Sequence, residues 1–250
     1  MADQPLLAGM RTLVVGASSG IGHAFAIAAS AHGAHVTVAA RRMDLLTELA
    51  AQLGGSAVEL DVSDPHAIQA VVSETARQLG GIDAIVFTSA VVPFVRVEHI
   101  TVATWTQTFA VNTIGPALVM AAALPYLSDE AVILIASSHD VGRPRAGVAA
   151  HSASKAALDE ILRSWRCEHP DLPVIRVGIG PTVDTEILRG ADRDLLAELY
   201  EEWDRSGQVP AEMSTAADVA NTMVSLIAAA RTSPTVVAES VRLATRVTKK

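Results

Sequence analysis

Three polar side chains in the second half of the chain have types and a spacing that could support acid–base chemistry. Ser138 follows a nearly continuous apolar run over residues 131–136, and His151 and Lys155 lie four residues apart. Residues four apart share one face of a helix, so the imidazole and the ammonium group can reach the same place. Near neutral pH a histidine can donate or accept a proton, whereas a lysine near a helix start is disfavoured by the helix dipole. Each residue alone is typical of a turn, a helix end or a surface charge, but the three together predict a catalytic site.

A glycine-rich turn near the N-terminus has the pattern of a phosphate-binding loop. Residues 12–15 predict a short strand, and residues 21–31 predict a helix rich in alanine. Between them, Gly16 permits a tight turn, Gly20 lets the backbone approach a pyrophosphate, and Gly22 lets the helix pack closely on the strand. The free N–H groups of the helix and its positive dipole end then face an anion. The spacing G-x-x-x-G-x-G is not the commonest fingerprint, and a plain glycine turn is the alternative, but this strand-to-helix position favours dinucleotide binding.

The residues after the second predicted strand, His35–Ala40, indicate which dinucleotide is preferred. In folds of this kind that bind NAD, an acidic residue about 20 positions beyond the glycines bonds the ribose 2′-hydroxyl. Arg41 and Arg42 occupy that position instead, and guanidinium groups pair well with a 2′-phosphate. We therefore expect a preference for NADP over NAD, with Ser18 as a further phosphate contact. A solvated surface pair of arginines is the alternative.

Short apolar runs alternate with helical patterns along the whole chain. Further strands are predicted at residues 58–60, 84–88, 131–136, 174–178 and 235–238, and helices at 43–53, from 65 onward, 151–169 and 217–229. This alternation predicts an α/β protein: a single-domain Rossmann fold with a doubly wound parallel sheet of about seven strands and helices on both faces. Right-handed crossovers place the carboxyl ends of the strands at one edge, where we expect the chemistry.

Composition narrows the classes of function. The formal net charge of -8 opposes nucleic-acid or anionic-membrane binding, and the single cysteine, Cys167, fits a reducing compartment. Metal-ligand spacings of Cys and His are absent from the sequence, and the N-terminus does not resemble a signal peptide, so we expect no metal and a cytoplasmic protein. Residues 101–128 are uncharged but contain Gln107, Asn112, Gly115 and Pro116, which favours a helix buried at a subunit interface over a membrane span.

Five motifs, in order along most of the chain, resemble the short-chain dehydrogenase/reductase family. They are the run from Gly16 to Gly22, Asp61-Val62, Asn112, Ser137-Ser138 and Ser152-Ala153-Ser154-Lys155-Ala156-Ala157. The resemblance implies a fold that binds NAD(P) and interconverts a carbonyl and an alcohol of a small-molecule substrate by hydride transfer. It also implies a homodimer or homotetramer.

The resemblance assigns roles to individual residues. Ser138 would bond the substrate oxygen, Lys155 would hold the nicotinamide ribose and lower the pKa of the acid/base, and Asn112 would anchor a water of the proton relay. Asp61 follows the third predicted strand, where it could meet the adenine ring, with helix capping as the alternative. By the resemblance, Val183 would contact the carboxamide and Thr185 the pyrophosphate. The other expected cofactor contacts are Ser18, Ser19, Ile21, Arg41, Arg42, Val62, Ser89, Ala90 and Pro181.

The chain departs from the family at the acid/base itself, which is a tyrosine in the family's Y-x-x-x-K motif. His151 stands at that position, four residues before Lys155 and thirteen after Ser138. Its ring is shorter than a phenol, and Lys155 and an oxidised nicotinamide would both favour the neutral imidazole. Three interpretations stay open: His151 is a weaker or substrate-tuned acid, the protein is a catalytically impaired NADP-binding sensor or scaffold, or another residue such as His139 acts instead.

The sequence also predicts a segment that covers the substrate and helices that form a subunit interface. Residues 186–213 correspond to the family's substrate-covering segment, where Tyr200, Trp203 and Met213 would line an apolar pocket; an amphipathic helix packing on the domain is the alternative. Residues 101–127 and 151–168 would pair with their copies in an oligomer, the second through an outer face formed by Leu158, Ile161, Leu162 and Trp165.

Overall fold

The protein is built around one parallel sheet with helices on both faces. The computed structural model describes residues 5–209, 212–233 and 235–245, and in them seven strands form a sheet in the order β3-β2-β1-β4-β5-β6-β7. The strands are β1 Arg11–Val15, β2 His35–Ala40, β3 Ser56–Glu59, β4 Ile82–Phe87, β5 Leu127–Ser138, β6 Val174–Ile179 and β7 Ser240–Leu243. The α-helices are α1 Gly20–Ala31, α2 Met43–Leu53, α3 Pro65–Leu79, α4 Val102–Phe109, α5 Gly115–Ala123, α6 Ala149–Glu168, α7 Arg193–Arg205 and α8 Ala216–Thr232. The doubly wound α/β prediction is confirmed.

The hydrophobic core has two layers because neighbouring residues of a buried strand point to opposite faces of the sheet. Val14 of β1 packs in the layer that contains Phe25 of α1 and Met223 of α8. Val15 packs in the other layer, which contains Leu158 of α6 and residues of α3 and α5. The strand order reverses between β1 and β4, so a crevice opens beyond their carboxyl ends.

Helix α3 begins where the sequence predicts. The Asp64 carboxylate accepts hydrogen bonds from the backbone N–H groups of His66 and Ala67, and Pro65 occupies the first helical turn. This arrangement satisfies N–H groups that would otherwise lack partners.

The predicted last strand at 235–238 is wrong. Strand β7 lies at Ser240–Leu243, where Arg176 pairs with Ser240 and Ile179 with Leu243. Val236 and Val237 are 69% and 38% exposed. Their apolar character therefore does not mark a buried strand. The other predicted strands lie at their expected places in the order; β2 has the predicted bounds, and the bounds of the others differ by up to four residues.

The uncharged stretch 101–127 is not one regular helix. Helices α4 and α5 are joined by a π-helical turn, Ala110–Ile114, which carries the buried side chain of Asn112. The span Val102–Tyr126 is long and apolar enough to cross a membrane, but 56% of its most apolar window is buried inside the protein, as in a core helix.

The predicted outer face of α6 is also wrong. Leu158 and Leu162 are fully buried in the core layer against the sheet, while Ile161 and Trp165 are half-buried. His151 and Lys155 share the buried side of α6 with these leucines, because residues three, four and seven apart fall on one helix face. The exposed side carries small and charged residues instead, among them Ala153 and Ala156.

Candidate active site

The carboxyl edge of the sheet brings together the polar residues that the sequence singled out. Ser138 is the last residue of β5, and its hydroxyl oxygen accepts a hydrogen bond of 3.1 Å from the backbone N–H of Asp140. Helix α6 begins at Ala149, so His151 and Lys155 lie in its first two turns. With its acceptor side engaged by Asp140, the Ser138 hydroxyl has a proton to donate.

Lys155 is a buried cation beneath this edge. Its Nζ donates a 2.8 Å hydrogen bond to the carbonyl oxygen of Ala136, and the residue is 2% exposed. Burial lowers the pKa of Lys155 to about 8; the charge of Asp159 opposes this shift, and that of Arg176 adds to it. A lysine in this setting can lose or share a proton far more readily than one in water.

His151 is buried and neutral. Burial lowers the pKa of His151 to about 4, and the charge of Lys155 lowers it further. Its Nδ1 lies 3.3 Å from the carbonyl oxygen of Val91. Because a carbonyl oxygen only accepts, this contact assigns the single proton of the neutral ring to Nδ1 and leaves Nε2 as an acceptor.

Asn112 ties the π-helical turn to both sides of the site. Its amide nitrogen donates to the carbonyl oxygen of Val91 (2.9 Å) and to the hydroxyl of Ser154 (3.0 Å), while its amide oxygen accepts from the N–H of Val91 (2.8 Å). Both amide hydrogens are thus used within the protein, and on this side chain a relay water could bind only at the remaining lone pair of the amide oxygen. The same Val91 carbonyl receives His151, so Asn112 also fixes the partner of the imidazole.

An ionic network that the sequence did not reveal supports the end of β5. The Asp159 carboxylate accepts from the Ser137 hydroxyl at 2.5 Å and from Arg176 Nε at 2.9 Å. Arg176 also donates a 2.8 Å hydrogen bond to the carbonyl oxygen of Ser138. A Cβ atom on Gly178 would overlap the guanidinium, so the glycine lets Arg176 run along β6 to Ser138. The only sequence signal was an arginine within an apolar strand.

The glycine turn forms a cradle with no room for side chains. Gly16 has a φ of 93°, and a Cβ atom there would lie 2.5 Å from the backbone nitrogen of Ser89. A Cβ atom on Gly22 would overlap the Gly16 carbonyl, and one on Gly20 would lie 3.3 Å from the Thr185 methyl carbon. The first turn of α1 has no acidic residue and no side-chain cap among the described residues. Its N–H groups can therefore receive an anion such as a pyrophosphate.

Arg42 reaches the same turn from the end of β2. Its guanidinium donates 2.9 Å hydrogen bonds to the hydroxyls of Ser18 and Ser19 and forms a 2.7 Å ion pair with Glu186. Arg41 is exposed.

The other residues expected to contact the cofactor differ in burial and in hydrogen bonding. The Asp61 carboxylate accepts from the Ser63 N–H (2.9 Å) and hydroxyl (2.7 Å), as in a helix-start turn. Ala90 is exposed, and the N–H of Val183 donates to the Ser214 carbonyl. Val62 is buried in the core, while Ile21 and Pro181 are half-buried.

Comparison with known proteins decides the family. Residues 11–195 match the family model of short chain dehydrogenases. The chain belongs to the short-chain dehydrogenase family.

Similar proteins of known name are also reductases or dehydrogenases. The chain is 31% identical over 212 residues to the short-chain dehydrogenase/reductase FrzI of Cladobotryum sp., with 81% of each chain covered. It is 28% identical over 206 residues to versicolorin reductase 1 of Aspergillus parasiticus, with 78% of each covered. Glycine betaine reductase ATRR of Emericella nidulans is 34% identical over 169 residues, but the match spans 65% of this chain and only 13% of that protein.

A solved structure supports the same assignment. The short chain dehydrogenase of Burkholderia cenocepacia J2315, solved in complex with NADP, has a TM-score of 0.81 and 25% identity, with 95% of this chain and 97% of that chain covered. The oxidoreductase class and an NAD(P)-binding fold are therefore established for this chain.

In this short-chain dehydrogenase a second charged cluster adjoins the site; the sequence pointed to its His139 but not to Asp140 and Arg145. Asp140 is 5% exposed; its carboxylate accepts from Arg145 at 2.6 Å and lies 3.0 Å from His139 Nε2. Burial lowers the pKa of His139, although Asp140 opposes this. His139 is thus engaged with Asp140.

The segment that follows Glu186 is anchored by α7. Leu199 and Trp203 are buried against Val148, and Trp203 Nε1 donates a 3.1 Å hydrogen bond to the Ala146 carbonyl. Trp203 therefore fixes α7 to the loop before α6 rather than facing an open pocket. Tyr200 and Met213 are 36% and 38% exposed.

Proposed function

We propose that this chain is an NADP(H)-dependent oxidoreductase that interconverts a carbonyl and an alcohol by hydride transfer. The observation that carries the proposal is the grouping of Ser138, His151 and Lys155 at the sheet edge that also holds the glycine cradle. We treat residues 1–250 as one catalytic domain in which residues 186–213 cover the substrate. A cytoplasmic homodimer or homotetramer without nucleic-acid or membrane partners completes the proposal.

NADP is the proposed cofactor because the cradle accepts a pyrophosphate and Arg42 lies beside it with a guanidinium suited to a 2′-phosphate. Ser18 and Ser19 orient that guanidinium. The nicotinamide, when bound, supplies or accepts the hydride. The remaining contacts are proposed for Gly16, Gly20, Ile21, Gly22, Arg41, Asp61, Val62, Ser89, Ala90, Lys155, Pro181, Val183 and Thr185.

Ser138 and Lys155 are proposed to act on the substrate oxygen and the cofactor ribose. The Ser138 hydroxyl donates to the substrate oxygen, since the Asp140 N–H donates to its oxygen and leaves the hydroxyl proton available. The Lys155 ammonium holds the ribose, and its charge adds to the burial that keeps His151 neutral. Asn112 contributes by holding Val91, the partner of His151.

His151 is proposed to stand in place of the family's tyrosine as the acid/base. In alcohol oxidation, the neutral ring accepts the hydroxyl proton at Nε2, while Nδ1 keeps its own proton and donates it in a hydrogen bond to the Val91 carbonyl. In carbonyl reduction the same ring must first be an imidazolium, which then donates its Nε2 proton to the developing alkoxide. Because burial lowers the pKa of His151 to about 4, the base form predominates at neutral pH.

The substrate is proposed to be a small or medium apolar carbonyl or alcohol. Val183, Ile187, Leu188, Tyr200 and Met213 all lie in or beside the covering segment and keep 36% or more of their surface exposed. Burying such surface against an apolar substrate is favourable.

The test follows NADPH oxidation across ketones, aldehydes and quinones, and NADP reduction across the matching alcohols. Native protein is compared with His151→Ala and His151→Tyr after NADPH binding to all three is confirmed. We expect turnover by the native protein and a loss of at least about 100-fold in the alanine variant. Turnover by His151→Ala at the native rate would exclude His151 as the acid/base.

A catalytically impaired NADP-binding sensor or scaffold is the second candidate, favoured by the low pKa of His151 and its short ring. In that case only His151→Tyr turns over, although the native protein binds NADPH.

A further inference from the structure

One guanidinium joins three distant parts of the chain beside the cofactor cradle. Arg42 follows β2, and its Nε and one terminal nitrogen donate to the hydroxyls of Ser18 and Ser19 in the glycine turn. Its other terminal nitrogen lies 2.7 Å from a carboxylate oxygen of Glu186, the first residue of the covering segment. The serines hold the guanidinium on one side, and Glu186 holds it on the other.

The proposed 2′-phosphate and the Glu186 carboxylate need the same partner. Both are anions that pair with a guanidinium through charge-assisted hydrogen bonds. Two anions bound to the same guanidinium lie close enough to repel each other, so Glu186 and a phosphate would not share Arg42 without a penalty. The hydroxyls of Ser18 and Ser19 are neutral and can keep their hydrogen bonds to Arg42 when a phosphate binds.

Glu186 also has another cation within reach. Arg189, three residues further along the segment in a turn, lies 3.6 Å from the same carboxylate oxygen that contacts Arg42. The side chains of Glu186 and Arg189 are 46% and 67% exposed, so neither is fixed by packing. Glu186 can therefore leave Arg42 without losing every charged partner.

We propose that Glu186 is a specificity-determining residue that holds Arg42 in the cofactor-free protein and yields it to the 2′-phosphate of NADP. The proposal rests on the proposed NADP function. NAD carries no phosphate at this position, so it leaves the Arg42–Glu186 pair in place. Binding of NADP, but not of NAD, then releases the first residue of the segment that covers the substrate.

The test measures cofactor affinity of the purified cofactor-free protein by isothermal titration calorimetry with NADP and with NAD. Glu186→Gln removes the competing charge and keeps the side-chain shape. Glu201→Gln is the matched control, because Glu201 is an exposed glutamate on α7 and its substitution changes net charge equally. Since a partly exposed ion pair contributes up to about 1 kcal/mol, we expect Glu186→Gln to bind NADP roughly three- to fivefold more tightly. Affinity for NAD, and both affinities of Glu201→Gln, should stay within about twofold of native.

The proposal is overturned by unchanged or weaker NADP binding in Glu186→Gln, by an equal gain for NAD, or by an equal gain in Glu201→Gln. Weaker NAD binding in Glu186→Gln would instead place the carboxylate on the ribose hydroxyls, which also contradicts it.

Arg42→Ala separates this failure from failure of the proposed NADP preference. If Arg42→Ala weakens NADP binding about tenfold while Glu186→Gln changes nothing, the preference stands and Glu186 has no part in it. If Arg42→Ala binds NADP as the native protein does, the NADP preference itself is wrong.

Discussion

A tyrosine hydroxyl carries its own proton at neutral pH, whereas neutral His151 keeps its single proton on Nδ1, facing the Val91 carbonyl. The reactive Nε2 is therefore a base. This arrangement suits removal of a proton from an alcohol, and it makes carbonyl reduction depend on the small fraction of imidazolium. Asp140 favours that imidazolium, and the charges of Lys155 and Arg145 oppose it.

The burial of His151 also makes a prediction about stability. The pKa of His151 is about 4 in the folded protein and about 6.5 in an unfolded chain, so the unfolded state binds the proton first as pH falls. The folded protein therefore loses stability from about pH 6.5 downward, by up to roughly 3 kcal/mol at pH 4. We expect His151→Gln to lose less stability than native protein over this range, measured by urea unfolding at several pH values.

Comparing the native protein with His151→Gln cancels the effect of the carboxylates on the pH dependence of stability, because the carboxylates titrate in both proteins. If the free energy of unfolding changes with pH in the same way for the native protein and for His151→Gln, the low pKa of His151 is contradicted.

At the scale of elements, β5, β6 and α6 are joined through Arg176 and Asp159. The pair is mostly buried, with side-chain exposures of 13% and 9%. Arg176 donates to the Ser138 carbonyl, and the charges of both residues act on the pKa of Lys155. Removing one partner of a buried pair leaves an uncompensated charge. The end of β5, and with it Ser138, is therefore positioned by a network outside the proposed catalytic residues.

We expect Arg176→Met to lower the free energy of unfolding by about 3–5 kcal/mol, because Asp159 is left buried without its cation. Arg163→Met is the matched control, since Arg163 pairs with Glu160 on the exposed side of α6, with exposures of 59% and 68%. That control should change stability by no more than about 0.5 kcal/mol. Urea unfolding at pH 7 measures both.

A double variant tests the reason for this cost. Arg176→Met combined with Asp159→Leu removes both charges and should recover much of the loss. A single Arg176→Met variant as stable as Arg163→Met would show that the network does not support β5.

At the scale of the whole molecule, the sequence predicted what depends on local pattern and missed what depends on distant pairing. Alternating apolar runs gave the parallel sheet, and the spacing of Ser138, His151 and Lys155 grouped them on one edge. The bond from Arg176 to Asp159 depends on β6 lying beside β5 and α6, which spacing alone does not specify. Val236 and Val237 were misleading because the predicted strand rested on their apolar character, yet they are exposed.

The surface of α6 and the residues beside it bear on the oligomeric state of the protein. The exposed side of α6 carries Ala153 and Ala156, whose small side chains would let a second copy approach closely. Val102 on α4 and Ile114 in the π-helical turn are 81% and 50% exposed, which leaves apolar surface next to α6 for burial. We expect sedimentation at micromolar concentration to give twice or four times the mass of one chain.

Ala156→Arg should shift this equilibrium toward the monomer, because a charge buried between two copies without a partner is costly. Asn221→Arg is the control: Asn221 is exposed on α8, whose buried residues pack in the core layer on the opposite face of the sheet, so its substitution should leave the assembly intact. A native protein that sediments as a monomer contradicts the predicted oligomer. An oligomer that persists in Ala156→Arg but dissociates in Asn221→Arg would place the interface on the face of α8, and residues 101–127 and 151–168 would then lie outside it.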